Sequence, residues 1–184
     1  GTTTINDMYF MTEQIIEAAV IAGVRLQTTR TLMDLSGKEA GQDRLNELLK
    51  LVKKYSQRNE RITFNVGIHG LYTASKEYVE NCIGFAKENA LNIHMHDIEK
   101  SYGKRPIEVI EKLFFDAKVL LAHCVKLNEE EIARLASLKQ ISVSHCPVSN
   151  LKLGCGVANI TEMIKQGINV SIGTDGQGSG SNLD

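Results

Sequence analysis

Strand-like and helix-like segments alternate along the whole of this 184-residue chain. Seven predicted strands cover residues 1–6, 25–29, 61–66, 91–96, 118–122, 140–144 and 168–173. Six predicted helices cover residues 12–24, 43–55, 75–89, 106–115, 128–138 and 158–166. Repeated β-α units bury a parallel sheet under helices, so the alternation predicts an α/β fold. Such a fold is either a closed barrel or an open doubly wound sheet.

The histidines favour the barrel. All five lie at or just past the carboxyl end of a predicted strand, and Asp175 follows the seventh strand in the same way. These histidines are His69, His94, His96, His123 and His145. In a (β/α) barrel the carboxyl ends of the strands converge on one face, whereas an open sheet spreads them along an edge. Core packing does not explain a histidine from four successive units, so we expect a metal site.

The segment IHMHDIEK at residues 93–100 carries the densest set of candidate groups. His94 and His96 alternate with apolar residues, so in a strand both point to one face, and Glu99 follows three residues later. A neutral imidazole is a good Zn²⁺ ligand, and a carboxylate just off the metal can carry protons to and from an activated water. The alternative interpretation is two hydrogen-bonded histidines in a half-buried strand.

Composition narrows the class of protein. With 42% hydrophobic residues the chain can build one sizeable core, and we expect a single domain over residues 1–184. A net charge of −1 gives no electrostatic case for nucleic acid or an anionic membrane. The four cysteines form no C-x-x-C pair, and no apolar run approaches the ~20 residues of a membrane span. No export signal stands at the amino terminus, so we expect a cytoplasmic protein with reduced thiols.

Longer motifs carry a specific resemblance. They are GTTTINDMYF, Arg30-Thr31-Leu32, IHMHDIEK, YGKRP, LLAHCVKL, SVSHCPVSNLKLGCGVA and SIGTDG. Together they resemble a large internal piece of an amidohydrolase-superfamily enzyme, in the 5′-methylthioadenosine/S-adenosylhomocysteine deaminase branch that also includes triazine chlorohydrolases. The resemblance implies an incomplete TIM-type (β/α)8 metallo-dependent hydrolase barrel. About strands two to eight are present, while strand one with its H-x-H ligands, the last helix and a flanking β-sandwich are absent.

The resemblance also implies roles at the predicted metal site. His96 matches the metal ligand of the fifth barrel strand, and Asp175 matches both the ligand of the eighth strand and the group that takes the water's proton. Glu99 matches the glutamate that shuttles protons and contacts the substrate. His123 matches the histidine that hydrogen-bonds the activated water or the developing oxyanion. The implied cofactor is one divalent metal; the ligand set favours Zn²⁺, with Fe²⁺, Mn²⁺ and Ni²⁺ as alternatives.

Three further residues match substrate-binding positions. His69 stands where the family has a substrate-contacting histidine. Arg30 and Arg44 match arginines that hold the substrate carboxylate in the members that accept S-adenosylhomocysteine, a task that suits a guanidinium fork. The alternative for Arg44 is a merely solvated side chain at the start of a helix. The implied partner is a small purine nucleoside, and a homo-oligomer stays open because barrel enzymes of this branch often pair.

The implied activity is hydrolysis of a C–N bond other than a peptide bond. Activated water attacks the amino-bearing carbon of an adenine ring, and ammonia is released. Lys126, Cys146 and residues 177–180 depart from the family motifs and leave the exact substrate open. Because the first-strand ligands are missing, we expect these 184 residues alone to be inactive and to hold a metal weakly or not at all.

Three alternatives remain at this point. The first is another reaction on the same site, such as guanine deamination, triazine dechlorination or formimino hydrolysis. The second takes His94 and His96 as the strand-one pair of a different metallohydrolase, against which the three upstream β-α units argue. The third is a binding module that has kept the barrel and lost catalysis.

Overall fold

The structure, a computed structural model, describes residues 1–97, 99 and 117–180. Its seven strands are β1 (Thr4–Tyr9), β2 (Arg25–Leu32), β3 (Ile62–Ile68), β4 (Asn92–Asp97), β5 (Val119–His123), β6 (Ile141–His145) and β7 (Asn169–Ile172). Its helices in the described ranges are α1 (Thr12–Ala22), α2 (Lys38–Tyr55), α3 (Lys76–Glu88), α4 (Glu129–Ser137), α5 (Pro147–Lys152) and α6 (Ile160–Lys165). The helix predicted at 106–115 lies outside the described residues. The predicted alternation of seven strands with helices is confirmed.

The chain divides into two compact units, residues 1–94 and 95–184, with the boundary inside β4. In the first unit β1, β2 and β3 pair in parallel and in chain order. Three helices cover this sheet through apolar faces that include Ile16 of α1, Leu48 of α2 and Val79 of α3, each 0–1% exposed. α3 begins where the Ser75 hydroxyl accepts a hydrogen bond from the Tyr78 backbone N–H at 3.2 Å.

The second unit repeats the same construction. β5, β6 and β7 pair in parallel, with Leu121 opposite Val143 and Val143 opposite Val170. α4 begins at a complete capping box, because Asn128 Oδ1 accepts from the Glu131 N–H at 2.9 Å and Glu131 Oε2 accepts from the Asn128 N–H at 2.9 Å. The predicted capping box is confirmed. Among the described helices none is both long and apolar enough to cross a bilayer.

Several predicted boundaries are wrong. β1 covers Thr4–Tyr9 instead of 1–6, and β2 continues to Leu32 instead of ending at residue 29, so Arg30 lies in a strand. α2 begins at Lys38, five residues earlier than predicted. The prediction excluded that first turn because it contains Gly41, and glycine disfavours helices. In the structure a Cβ on Gly41 would lie 2.8 Å from the Tyr78 ring, so tertiary packing requires a glycine there.

Candidate functional site

Three titratable side chains meet in the second unit. Glu99 follows β4, His123 is the last residue of β5, and Asp175 lies three residues beyond β7. Each offers a donor atom, and these atoms all lie within 4.8 Å of one another. His123 is buried, while both carboxylates are half-buried. Parallel strands deliver their carboxyl ends to one edge of the sheet, which explains how residues 76 positions apart in the chain converge.

The backbone at the site is unusual. His123, Cys124 and Asp175 have φ angles of +75°, +49° and +59°, in the left-handed region that non-glycine residues rarely adopt. The Cys124 N–H donates to the Asp97 carbonyl at 2.9 Å, which holds the end of β5 in this conformation. Such conformations persist only where the surroundings impose them, and they concentrate at functional sites.

Two other histidines flank the cluster. His96, the predicted metal ligand on β4, has its ring centroid 5.2 Å from that of His123, with the planes tilted by 54°. His145 ends β6, and burial, followed by the neighbouring His123, lowers its pKa. His94 lies in the first unit, buried within β4. His96 therefore lies beside the cluster of Glu99, His123 and Asp175 without belonging to its closest set of donors.

Sequence reasoning missed two residues that contact this cluster. Ser149 Oγ donates to Asp175 Oδ2 at 2.5 Å, and His123 Nδ1 lies 2.9 Å from Asn150 Oδ1. Both side chains are 0% exposed. The signal that could have found them is a pair of adjacent polar residues, four and five positions after a strand that ends in histidine, in the segment SVSHCPVSN.

Several cysteine thiols lie in the second unit with the cluster of Glu99, His123 and Asp175. Cys155 Sγ donates to Glu99 Oε1 at 3.6 Å. Burial, then the negative charge of Asp175, raises the pKa of the Cys146 thiol to about 11, and burial raises that of Cys124 well above its usual value. These two thiols are therefore neutral at physiological pH, whereas the thiolate is the nucleophilic and ligating form.

The donor set fits a divalent metal ion. Two carboxylates and one imidazole, with a second imidazole beside them, are oxygen and nitrogen donors of the kind that Zn²⁺, Fe²⁺ and Mn²⁺ accept. Ligands on one Zn²⁺ ion sit ~2.0–2.2 Å from it, so donors on a shared ion are up to ~4 Å apart. Separations within 4.8 Å are close to that limit.

The predicted substrate-binding histidine lies in the first unit. His69 follows β3 and is half-buried, with its Nδ1 atom 2.9 Å from Thr73 Oγ1. Its ring contacts Tyr72 edge-on at 5.4 Å between centroids. These contacts hold the imidazole near the carboxyl end of β3.

The two predicted arginines are held by their own chain. Arg30 Nε donates to Glu47 Oε2 at 2.6 Å, and its guanidinium lies over the Phe10 ring at 5.6 Å. Arg44 Nη1 donates to the Met33 carbonyl at 3.0 Å. Arg30 Nη1 and Arg44 Nε are buried and have no hydrogen-bond partner in the described part of the chain. Each arginine is thus oriented by contacts within its own chain and retains a further N–H donor.

Residues 1–184 match the amidohydrolase family throughout, and the chain belongs to that family. It is 40% identical over 198 residues to a protein of Bacillus cytotoxicus named 5-methylthioadenosine/S-adenosylhomocysteine deaminase; the match covers all of this chain and 45% of the relative. The chain therefore spans a little under half the length of this relative. The predicted family and branch are confirmed.

Two solved structures have folds similar to that of this chain over its whole length. Atrazine chlorohydrolase TrzN from Arthrobacter aurescens TC1, complexed with zinc, is 27% identical with a TM-score of 0.86, and the match covers 100% of this chain and 47% of that one. An adenosine deaminase from Xanthomonas campestris with bound zinc is also 27% identical with a TM-score of 0.86, covering 100% and 44%. The predicted fold class, an α/β chain that forms part of a TIM-type barrel, is confirmed.

Proposed function

We propose that the protein containing this chain is a metal-dependent hydrolase that deaminates an adenine-type nucleoside. The observation that carries the proposal is the convergence of Glu99, His123 and Asp175, whose donor atoms lie within 4.8 Å of one another. A carboxylate that moves protons, an imidazole that stabilises charge and a carboxylate that accepts a proton from water are what this hydrolysis requires. The names of the relatives support the same class of reaction.

His96 and Asp175 are the residues we propose as ligands of the metal. A divalent ion held there would lower the pKa of a water molecule from its bulk value toward ~7. Asp175 accepts a proton from the attacking water, because its carboxylate offers an oxygen within 4.8 Å of the donor atoms of Glu99 and His123. His123 Nε2 accepts a hydrogen bond from the attacking water and, once it carries a proton, donates to the oxygen on which charge develops.

Glu99 completes the proton transfers. It protonates the ring nitrogen adjacent to the amino-bearing carbon, so that the ring carbon accepts the water oxygen. The C–O bond forms, the C–N bond to the amino group breaks, and that group leaves as ammonia after receiving a proton. The adenine ring becomes a hypoxanthine ring. Glu99 is half-buried, which leaves it open to a substrate and still partly shielded from bulk water.

Arg30 and Arg44 support a substrate that carries a carboxylate. Both retain a buried N–H donor that no group of the described residues satisfies, and a buried unsatisfied donor costs ~1–3 kcal/mol. A carboxylate accepts two parallel N–H bonds from one guanidinium, so S-adenosylhomocysteine offers a chemically matched group. We propose His69 as a third substrate contact.

A second candidate reaction is displacement of chloride from a triazine ring. The observation that favours it is the likeness to atrazine chlorohydrolase over the full chain. The attack of water on a nitrogen-rich aromatic ring is common to both reactions. They differ in the leaving group, which is ammonia in one and chloride in the other.

The test uses the full-length protein. Metal analysis is combined with a screen for ammonia release from adenosine, methylthioadenosine, S-adenosylhomocysteine and guanine, and for chloride release from atrazine. We expect about one bound metal ion per chain and ammonia from at least one adenine nucleoside. Removing the metal with a chelator should abolish that activity, and added Zn²⁺ should restore it. A metal-loaded protein that releases ammonia from none of these nucleosides contradicts the proposal.

A further inference from the structure

The short helix α5 places two consecutive buried polar side chains against two different members of the cluster. Ser149 Oγ donates to Asp175 Oδ2 at 2.5 Å, and Asn150 Oδ1 lies 2.9 Å from His123 Nδ1. Both residues are 0% exposed. Adjacent helical residues point ~100° apart, so one turn of backbone can serve two partners on either side of it.

We propose that Ser149 and Asn150 are positioning residues, which orient Asp175 and His123 respectively. This inference rests on the proposed function, because it assigns them to the same site. Neither residue is needed there for packing alone, since an apolar side chain would fill a fully buried position without the cost of desolvating a hydroxyl or an amide.

The backbone of α5 is anchored on both sides of the pair. The Asn150 N–H donates to the Cys146 carbonyl at 2.9 Å, and the Asn150 carbonyl accepts from the Cys155 N–H at 2.8 Å. The Ser149 carbonyl accepts from the Leu153 N–H at 2.9 Å. These three hydrogen bonds hold the backbone from which the two side chains project, so the side chains have little freedom to follow a partner that moves.

Ser149 acts together with one backbone group to fix the Asp175 carboxylate. Oδ2 accepts from Ser149 Oγ, and Oδ1 accepts from the Gly176 N–H at 2.7 Å. One donor on each oxygen fixes the rotation of the carboxylate plane, and each oxygen keeps a further lone pair for a metal or a proton. Outer hydrogen-bond partners of this kind typically change metal affinity or activity by ~10–100-fold when removed.

Asn150 acts on the tautomer of His123 as well as on its ring orientation. With the amide oxygen facing the ring, His123 Nδ1–H donates to Oδ1, and Nε2 is the nitrogen left for the site. Asn150 Nδ2 is buried and has no hydrogen-bond partner among the described residues. The amide side chain thus has the imidazole as its hydrogen-bond partner within the described part of the chain, and removing the amide frees both the ring rotation and the choice of tautomer.

The experiment on Ser149 measures the dissociation constant for Zn²⁺ by chelator competition in the full-length protein. Ser149→Ala should weaken Zn²⁺ binding about tenfold and lower kcat at saturating Zn²⁺ about 10-fold or more, with KM changed less than twofold. Ser149→Thr keeps the hydroxyl and should restore both. The matched control is Ser137→Ala, which removes a hydroxyl that donates to the Arg134 carbonyl at 2.6 Å at the end of α4 and should change neither value. An unchanged dissociation constant in a folded Ser149→Ala protein overturns this half of the proposal.

The experiment on Asn150 uses ¹⁵N-labelled histidine, with the His123 signals assigned by their loss in His123→Gln. Asn150→Ala should alter the His123 tautomer signals and lower kcat about 10-fold while Zn²⁺ binding changes less than twofold. Asn150→Asp, which keeps an acceptor and fills the same volume, should retain the wild-type Nδ1–H signal. Unchanged His123 signals in Asn150→Ala overturn this half. Because the Zn²⁺ and ¹⁵N readouts need no substrate, they decide the inference even if no nucleoside is deaminated.

Discussion

The two compact units carry polar groups of different kinds. In the first unit, Arg30 is neutralised by Glu47 at 2.6 Å and Arg44 donates to a backbone carbonyl. In the second unit, two carboxylates lie within 4.8 Å of His123, and His123 and Asp175 both have left-handed backbone conformations. An arginine that its own chain orients and that keeps a further N–H donor can hold a substrate carboxylate, whereas adjacent carboxylates can exchange protons. We therefore propose that the first unit contributes to substrate binding and the second contributes the proton transfers.

The largest expected effect concerns Glu99, on the chemical side of this comparison. In the full-length protein, Glu99→Gln should lower kcat by about 10²–10⁴-fold, because an amide cannot move the proton that general acid-base catalysis requires. Metal content should stay unchanged. Glu129→Gln, on an exposed glutamate of α4, is the control and should leave kcat as it is. Near-normal deamination by a metal-loaded Glu99→Gln protein would show that the proton shuttle is assigned wrongly.

The next effect concerns the binding side. Arg30→Met and Arg44→Met should each raise KM for S-adenosylhomocysteine by about 10–100-fold, because a hydrogen bond to a charged group contributes ~1.5–3 kcal/mol. KM for methylthioadenosine, which has no carboxylate, should change little. Arg61→Met is the matched control, since Arg61 is exposed, precedes β3 and donates to the Gly23 carbonyl at 3.1 Å. An equal rise in KM for both substrates would show that these arginines do not bind the substrate carboxylate.

A smaller effect concerns the stability of helix α4 in the second unit. Asn128→Ala removes one half of the capping box of α4 and should cost ~1 kcal/mol of unfolding free energy, measured by urea denaturation. Catalytic constants of the folded protein should be unchanged. Glu130→Ala, at an exposed neighbouring position, provides the comparison. A large loss of kcat in Asn128→Ala would mean that the geometry of the site depends on the start of helix α4.

The smallest effect concerns Asp7 in β1. Burial raises the pKa of this carboxyl, whose Oδ2 atom has no hydrogen-bond partner in the described ranges. The folded state therefore binds its proton more tightly than the unfolded state does. The resulting stabilisation is fully present below the unfolded value of 3.8 and is lost as pH rises through the folded value.

Asp7→Asn should accordingly raise the midpoint of thermal unfolding at pH 7 relative to the wild type, and the gain should shrink toward zero near pH 3. Asp43→Asn, on an exposed residue of α2, is the control for general charge effects. A gain that is the same at both pH values would mean that the buried charge is not its cause.

Local sequence patterns predicted most of the strands and helices. The seven strands follow from short segments that are β-branched, apolar or alternating, and the helix at 129–137 follows from its capping box, because these signals lie within a few neighbouring residues. The positions of His123 and Asp175 at the strand ends follow from the same segmentation. Their convergence needed only the rule that parallel strands share an edge.

Contacts between distant residues account for what sequence reasoning missed. α5 has only six residues, too few to show a periodic pattern of apolar residues along the sequence. The proposed roles of Ser149 and Asn150 depend on partners 26 and 27 positions away in the chain. The early start of α2 depends on Gly41 fitting against Tyr78 of another helix. The single domain, the cytoplasmic location, the homo-oligomer and the absence of nucleic-acid or membrane partners stay predictions.

The most direct test of the central claim is a crystal structure of the full-length, Zn²⁺-loaded protein, with the metal located by its anomalous scattering. We predict a metal ion ~2.0–2.2 Å from a His96 imidazole nitrogen and from an Asp175 carboxylate oxygen, with Glu99 and His123 facing the same space. A metal ion bound elsewhere, with His96 and Asp175 outside coordination distance, would contradict the account.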